Sequence, residues 1–450
     1  MKTRLLILAL LASFGMVRAE ILTLDSCLEL AKQNNCTIRA ARLDVTMAEQ
    51  VKKQVLWKYF PQVSVNAFAM HGLNPLVTMD LQHQETGFLT NLFNDLSEYL
   101  NREYDGRKIE DSDLKMLQYA FSAQLQAVQP VFWGGQIVTG NRLAALGIDA
   151  SKLKSEVSER DLLQQVEETY WLVAGLYEKR ATIERTRALL DTLQNVAQTA
   201  FNHGLVTRND LLRVQLKRNE IESKAIQLED GIQLASKALY QLIGREYDRE
   251  PELETFPEVE EVETLVLLDS IRIDSRPEVA LLDMNIRAEK LRRRLTLGEV
   301  LPHIGLGAQF GYSNINNMAK YDGNMNVVGF AFLTVPITAW GENGHKIREH
   351  NLRIKQAELM KEDLTGKMRL QNEQAYDRLT ESIALMQSQK SAIELAEDNF
   401  RTMLLSYRSG VATMTELMEA EALLLLAHNN YTDARIDYRA SLRRFNDLNK

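Results

Sequence analysis

Two stretches of this chain, Ile137 to His203 and Asn343 to Ser409, each run for 67 residues without a proline. Proline removes a helix hydrogen bond and clashes with the preceding turn. Its exclusion from tracts rich in Ala, Leu, Glu, Lys, Arg and Gln therefore predicts two very long helices. At 1.5 Å per residue each would reach about 100 Å, roughly three times the hydrocarbon thickness of a bilayer. The whole chain of 450 residues has only 8 prolines and is 25% charged, which extends the helical expectation to most of it.

The apolar spacing says how such helices would be used. Leu211, Val214, Ile221, Ala225, Leu228, Ile232, Ala235, Leu239 and Leu242 follow a 3,4 pattern with Arg218 as the polar intruder. Near the C-terminus Leu417, Leu424, Tyr431 and Tyr438 recur every seven residues, with Ala420, Ala427 and Ala434 between them. A sustained seven-residue period wraps helices around one another.

Between the helical tracts lie four segments of period two. In HIGLGAQFGY, Ile304, Leu306, Ala308, Phe310 and Tyr312 share one face, and His303, Gly305, Gly307, Gln309 and Gly311 the other. The others are Gln62 to Met70, Tyr119 to Val128 and Asn326 to Val335. At about ten residues each they match a tilted transmembrane strand. Single-chain outer-membrane barrels start at about eight strands. Either several chains share one barrel, then, or these are solvent hairpins capping a helical bundle.

The chain repeats itself. AFNHGLVTRNDLL at 200–212 returns as SYRSGVATMTELM at 406–418, an offset of 206 residues. At the same offset Pro130-Val-Phe-Trp-Gly-Gly135 aligns with Pro336-Ile-Thr-Ala-Trp-Gly341, each ending a strand and opening a long helix. The expected organisation is a leader at 1–19, a first repeat at 20–244, a linker at 245–263 and a second repeat at 264–450. The first repeat is expected to hold strands at about 62–72 and 118–131, a long helix at 137–203, a turn at 204 and a return helix at 208–244. The second is expected to hold strands at about 303–313 and 325–336, helices at 343–408 and 413–447, and a turn at 410. The first copy carries a longer segment between its strands, 73–116, read as an enlarged hairpin loop with a short helix at Leu89 to Asn101.

The leader MKTRLLILALLASFGMVRA places Lys2 and Arg4 before an apolar run and ends in Val17-Arg18-Ala19, the pattern of a cleavable secretory signal. Without its three basic residues, the net charge falls from −8 to −11, which argues against nucleic acid. Cys27 and Cys36 are the only thiols. Along one straight helix they would stand roughly 13 Å apart, beyond disulfide reach. They are expected to be two unpaired, buried thiols, with a bridge open to them only if Asn34-Asn35 breaks the helix.

No enzyme, cofactor or metal site emerges. The glycines of GLGAQFG fall on one strand face with no helix after them, unlike a dinucleotide fingerprint. His345 and His350 lie about 140° apart on a helix and are expected to be solvated. What remains are the two turns. Gly204 and Gly410 suit helix termination. Thr207 and Thr413 suit capping the next helix, and Asp210 and Glu416 suit its first turn.

Taken together, LTLDSCLELAKQNN at 22–35, SRPEVALLDMNIRAEKLRRRLTLGEVLPHIGL at 275–306, PVFWGG, PITAWG and the two acidic glycine turns resemble the TolC family of outer-membrane efflux proteins, over the whole mature chain. The resemblance implies a mainly α fold with a small transmembrane β part. Three chains share a twelve-stranded barrel, continued by a helical tunnel through the periplasm. It also implies a belt formed by the segment around Leu22 to Asn34, the linker and the C-terminus. The turns, Gly204, Leu205, Val206, Thr207 and Gly410, Val411, Ala412, Thr413, would form the tunnel's closing tip and meet the adaptor or pump. Asp210 and Tyr407 would match a latch between neighbouring chains. The family's completing arginine is replaced by Ala412, leaving Arg408 or Arg208 as substitutes. Glu416 and Glu419 would match the acidic positions ringing the pore entrance, where carboxylates attract cations.

The function so implied is a passive exit duct for drugs, toxic small molecules or metal ions. Its partners would be two further copies of itself, a periplasmic adaptor (membrane fusion protein), a proton-driven inner-membrane pump and outer-membrane lipid of a Gram-negative bacterium. The alternatives are a type I protein-secretion duct and a soluble periplasmic coiled-coil scaffold.

Overall fold

The computed structural model describes residues 21–73, 77–79, 114–116, 119–204, 206–254, 256, 273, 276–313 and 324–449. The leader, the expected helix at Leu89 to Asn101 and most of the linker's second half lie outside them. In chain order the elements are α1 (Leu24–Asn34), α2 (Cys36–Leu56), β1 (Gln62–His71), β2 (Val77–Met79), β3 (Leu114–Met116), β4 (Tyr119–Trp133), α3 (Gln136–Asn202), α4 (Arg208–Leu242), α5 (Pro277–Glu299), β5 (His303–Ser313), β6 (Asn324–Thr334), α6 (Ala339–Arg408) and α7 (Met414–Asn449). Among the described residues no helix is long and apolar enough to cross a membrane.

The chain forms two compact units, each drawing on both halves of the sequence. One comprises Gln50–Ala145 and Glu289–Arg353. It holds an antiparallel sheet of order β1-β4-β5-β6, so one hairpin comes from each copy and β4–β5 pairing joins them. Register aligns Val65, Leu125, Phe310 and Val327 across all four strands. Their side chains are all exposed, as are those of Val63, Phe121, Leu306 and Leu333. The other face is polar or small on β5 and mixes polar residues with Phe68 of β1 and Phe330 and Phe332 of β6. Gln309 bonds Gln124, and Asn66 donates to Gln126 at 3.3 Å. Gly305 and Gly307 lie under the rings of Phe332 and Phe330, where a Cβ would collide. The period-two reading of β5 thus describes both faces.

β4 runs on through Pro130 to Trp133, two residues beyond the expected end at about 131. Its register with β5 shifts between Pro130 and Phe132. Proline cannot donate to the ladder, so a bulge is the physical outcome. Trp133 then stacks on His303 at 4.7 Å between ring centroids. Gly134 and Gly135 follow with φ of 58° and 75°, and a Cβ on Gly134 would overlap the Gly298 carbonyl oxygen. At the second copy's matching position stands Trp340, 61% exposed, so the two corners are not equivalent.

Two expectations need correction in this unit. Segment 73–116 is not simply a loop, because β2 and β3 form their own two-stranded ladder within it. His350 is not merely solvated either. Its Nδ1 lies 3.5 Å from Glu289 Oε2 and its Nε2 lies 3.3 Å from Thr296 Oγ1, tying α6 to α5. His345 is exposed.

The other unit comprises the chain up to Glu49, Leu146–Ala288 and Ile354–Lys450. One core gathers Leu22, Cys27, Ala31 and Ile38 with Val166, Tyr170 and Trp171 of α3, Leu239 of α4, Ile243 and Phe256. Leu22 bridges in parallel to Leu253, and the Tyr170 hydroxyl donates to the Leu22 carbonyl at 3.0 Å. Arg435 of α7 donates to the Phe256 carbonyl at 2.9 Å. The N-terminal segment, the start of the linker and the last helix therefore meet here.

Asn35 does break the helix, with ψ of 131°. Its side-chain amide donates to the Leu242 carbonyl at 2.8 Å and its oxygen accepts from Thr37 N at 2.7 Å. Both cysteines are free, but only Cys27 is buried; the expectation of two buried thiols fails because the break turns Cys36 outward. Burial pushes the Cys27 thiol up to about 11.

Candidate functional site

The helices that flank the two glycine turns share the second core of this unit. It packs Leu190, Leu193 and Ala197 of α3 and Leu211, Val214 and Ile221 of α4 with Met414, Leu417 and Leu425 of α7. Phe400, Met403, Leu404 and Tyr407 at the end of α6 pack against it. The 3,4 pattern of α4 supplies Leu211, Val214 and Ile221, whereas of the seven-residue pattern of α7 only Leu417 enters this core. Arg218, the intruder, reaches out to Asp191 of α3 at 2.9 Å.

Gly204 and Gly410 have φ of 73° and 77°, the left-handed conformation that ends a helix with little strain only for glycine. Each turn then starts its return helix with the same reciprocal cap. Asp210 N donates to Thr207 Oγ1 at 3.3 Å, while Thr207 N and Oγ1 donate to Asp210 Oδ2 at 3.0 and 2.7 Å. In the second copy Glu416 N donates to Thr413 Oγ1 at 3.3 Å, and Thr413 N and Oγ1 donate to Glu416 Oε2 at 2.7 and 2.9 Å. The Thr413 amide and hydroxyl hold the Glu416 carboxyl below its ordinary range. Thr207→Ala and Thr413→Ala are each expected to cost about 1 kcal/mol, measured as a lower thermal midpoint in detergent. An unchanged midpoint in both would mean the caps are dispensable.

Within a single chain the Asp210 charge already acts on Tyr407. Burial raises the Tyr407 hydroxyl above its ordinary range, and the Asp210 charge adds to that rise. Glu416 and Glu419 are exposed, as are Gly204, Thr207, Gly410 and Thr413. Val411 is 83% exposed; Val206 and Ala412 are half-buried. Leu205 lies outside the described residues.

The profile described as "Outer membrane efflux protein" matches residues 27–245 and 272–448. The chain belongs to the outer membrane efflux protein family. It is an outer-membrane protein. The alkaline protease secretion protein AprF of Pseudomonas aeruginosa is 25% identical over 293 residues, 62% of this chain and 59% of that protein. The chain thus matches under two thirds of that relative's length. Among solved structures, the outer-membrane channel OprN superposes with a TM-score of 0.75 at 12% identity, covering 94% of this chain and 89% of that one. The outer membrane protein VceC of Vibrio cholerae gives 0.73 at 14% identity, with 95% and 96% covered. The mainly helical fold with one small antiparallel sheet is therefore that of solved outer-membrane channels.

In this outer membrane efflux protein the sequence patterns missed one line of residues on α7. Met414, Glu421, His428 and Arg435 recur every seven residues. Each polar member meets a different helix. Glu421 lies 3.8 Å from Lys217 of α4, His428 lies 3.7 Å from Glu397 of α6, and Arg435 lies 2.9 Å from Glu178 of α3. Heptad reading by apolar residues alone passes over them, whereas reading by position would have found them.

Proposed function

We propose that the chain is one third of an outer-membrane exit duct that conducts, without catalysis, what an inner-membrane pump delivers through a periplasmic adaptor. What carries this reading is the four-stranded sheet, whose edges among the described residues are β1 and β6, and its one mostly apolar face. In lipid, unpaired backbone groups are too costly to leave open, so the sheet favours closure with further copies. Three copies supply twelve strands. The apolar face disfavours a soluble scaffold, since large exposed apolar patches mark a membrane or partner.

Small toxic molecules or metal ions are the cargo this reading favours, with a proton-driven pump. The tip turns are the meeting place with the adaptor, and Asp210 with Tyr407 helps hold them closed. Glu416 and Glu419 form the acidic entrance. Conductance of the purified trimer in planar bilayers tests it. Cation preference is expected, and it should fall several-fold when both glutamates become glutamine. Absence of a pore would sink the duct; unchanged selectivity would sink the acidic ring. One observation favours protein export as a second reading: the relative AprF is named as a secretion protein. A neighbouring gene for an exporter ATPase would support it, and one for a proton-driven pump would support efflux.

A further inference from the structure

Glu421, in the α7 line, has no hydrogen bond on either carboxylate oxygen. Its residue is 2% exposed, in the stretch of α7 whose neighbours Leu417 and Leu425 belong to the tip core. It stands two residues, about 200° of helix turn, beyond exposed Glu419, so it faces away from the proposed pore acids. The charges that act on it come from α4. Lys217 lies 3.8 Å away and is shared with Glu220 at 3.3 Å, and Glu220 is also held by Lys224 at 2.6 Å. In this core α3 contributes the apolar Leu190 and Leu193, and α6 contributes Phe400, Met403 and Leu404.

We propose that Glu421 is a titratable clasp between α4 and α7: protonated, it lets the seam of the tip close, and ionised, it loosens that seam. The proposal concerns regulation of the proposed gate and rests on that reading, but its physics belongs to this chain alone. A buried carboxylate without hydrogen bonds is costly in its charged form. One shared cation at the outer limit of an ion pair offsets only part of that cost.

Burial raises the Glu421 carboxyl, Lys217 opposes the rise and Glu220 adds to it. A raised carboxyl favours packing below its folded-state value, and the contribution is lost as pH rises through that value. The window therefore lies above the ordinary glutamate range, around pH 4.3, and acid tightens the tip. His428, one heptad on, is held below its ordinary range by burial, with Arg185 adding to the effect and Glu397 and Glu178 opposing it. Its protonation acts with the opposite sign, so it needs its own control.

Hydrogen exchange by mass spectrometry on the detergent-purified full chain, from about pH 5 to about pH 8 and corrected for intrinsic rates, tests the clasp. Protection of 214–225 in α4 and 414–425 in α7 should fall several-fold as pH rises. Glu421→Gln should hold both segments at the protected level throughout, and His428→Asn should leave the transition in place. Lys217→Gln should move the transition to higher pH, because the ionised carboxylate loses its cation. That shift also serves as the test if Glu421→Gln does not fold. A native chain without the transition, a Glu421→Gln chain with the native profile, or an unmoved transition in Lys217→Gln would overturn the proposal. None of these readouts needs a pore, so failure of the conductance experiment is a separate result.

Discussion

Replacing Gly134 with alanine is expected to abolish most heat-resistant assembly of this chain, read as the fraction that migrates as an oligomer on an unboiled gel after detergent extraction. Two penalties act together. The left-handed backbone costs an L side chain about 1–2 kcal/mol, and the new methyl meets the Gly298 carbonyl, where overpacking adds about 1–3 kcal/mol. Two controls separate them. Gly135, with φ of 75° and open space beside it, should lose only the first contribution on becoming alanine. Gly341, its partner in the second copy, has open space within α6 and should tolerate alanine. If Gly134→Ala behaves no worse than Gly135→Ala, the close approach of this corner to Gly298 is not what fixes it.

The second large effect is expected at the ion pair of Arg435 and Glu178. Arg435 is 4% exposed, gives two bonds of 2.9 Å to Glu178 and lies over the Phe256 ring at 4.3 Å. Breaking a buried pair by removing one partner costs about 3–5 kcal/mol. The two single variants should differ in a definite order. Arg435→Met leaves Glu178, whose side chain is 31% exposed and can turn to water. Glu178→Gln leaves the guanidinium charge buried and without this carboxylate, although its bond to the Phe256 carbonyl remains. Glu178→Gln should therefore lower the thermal midpoint more, and the double variant should recover part of that loss. Equal losses with no recovery would mean the pair acts only through packing.

Much of this architecture is legible in the residues because it rests on periodicity. Alternation in HIGLGAQFGY defines both faces of β5, and the 3,4 spacing from Leu211 to Leu239 defines the buried side of α4. The tip turns are legible for a related reason, since a glycine followed by a threonine and then an acid spells out termination and capping in local chemistry. What stayed hidden depends on partners distant in sequence. Nothing near Glu421 announces Lys217, and nothing near Gly134 announces Gly298. Nothing near Cys36 announces that Asn35 bonds the Leu242 carbonyl and turns the chain that follows it.

The joint between β4 and β5 also sets a timetable for biogenesis. Gln124 and Gln309, bonded across that joint, are 185 positions apart, and pairings that close such long loops form late. A chain threaded across the inner membrane from its N-terminus presents the β1–β4 hairpin, with one apolar face and a bare edge, well before β5 emerges to cover it. Throughout that interval the hairpin is an aggregation hazard. Holding factors and proteases of the periplasm would compete for the half-delivered chain, and a product truncated before His303 would leave only material for degradation.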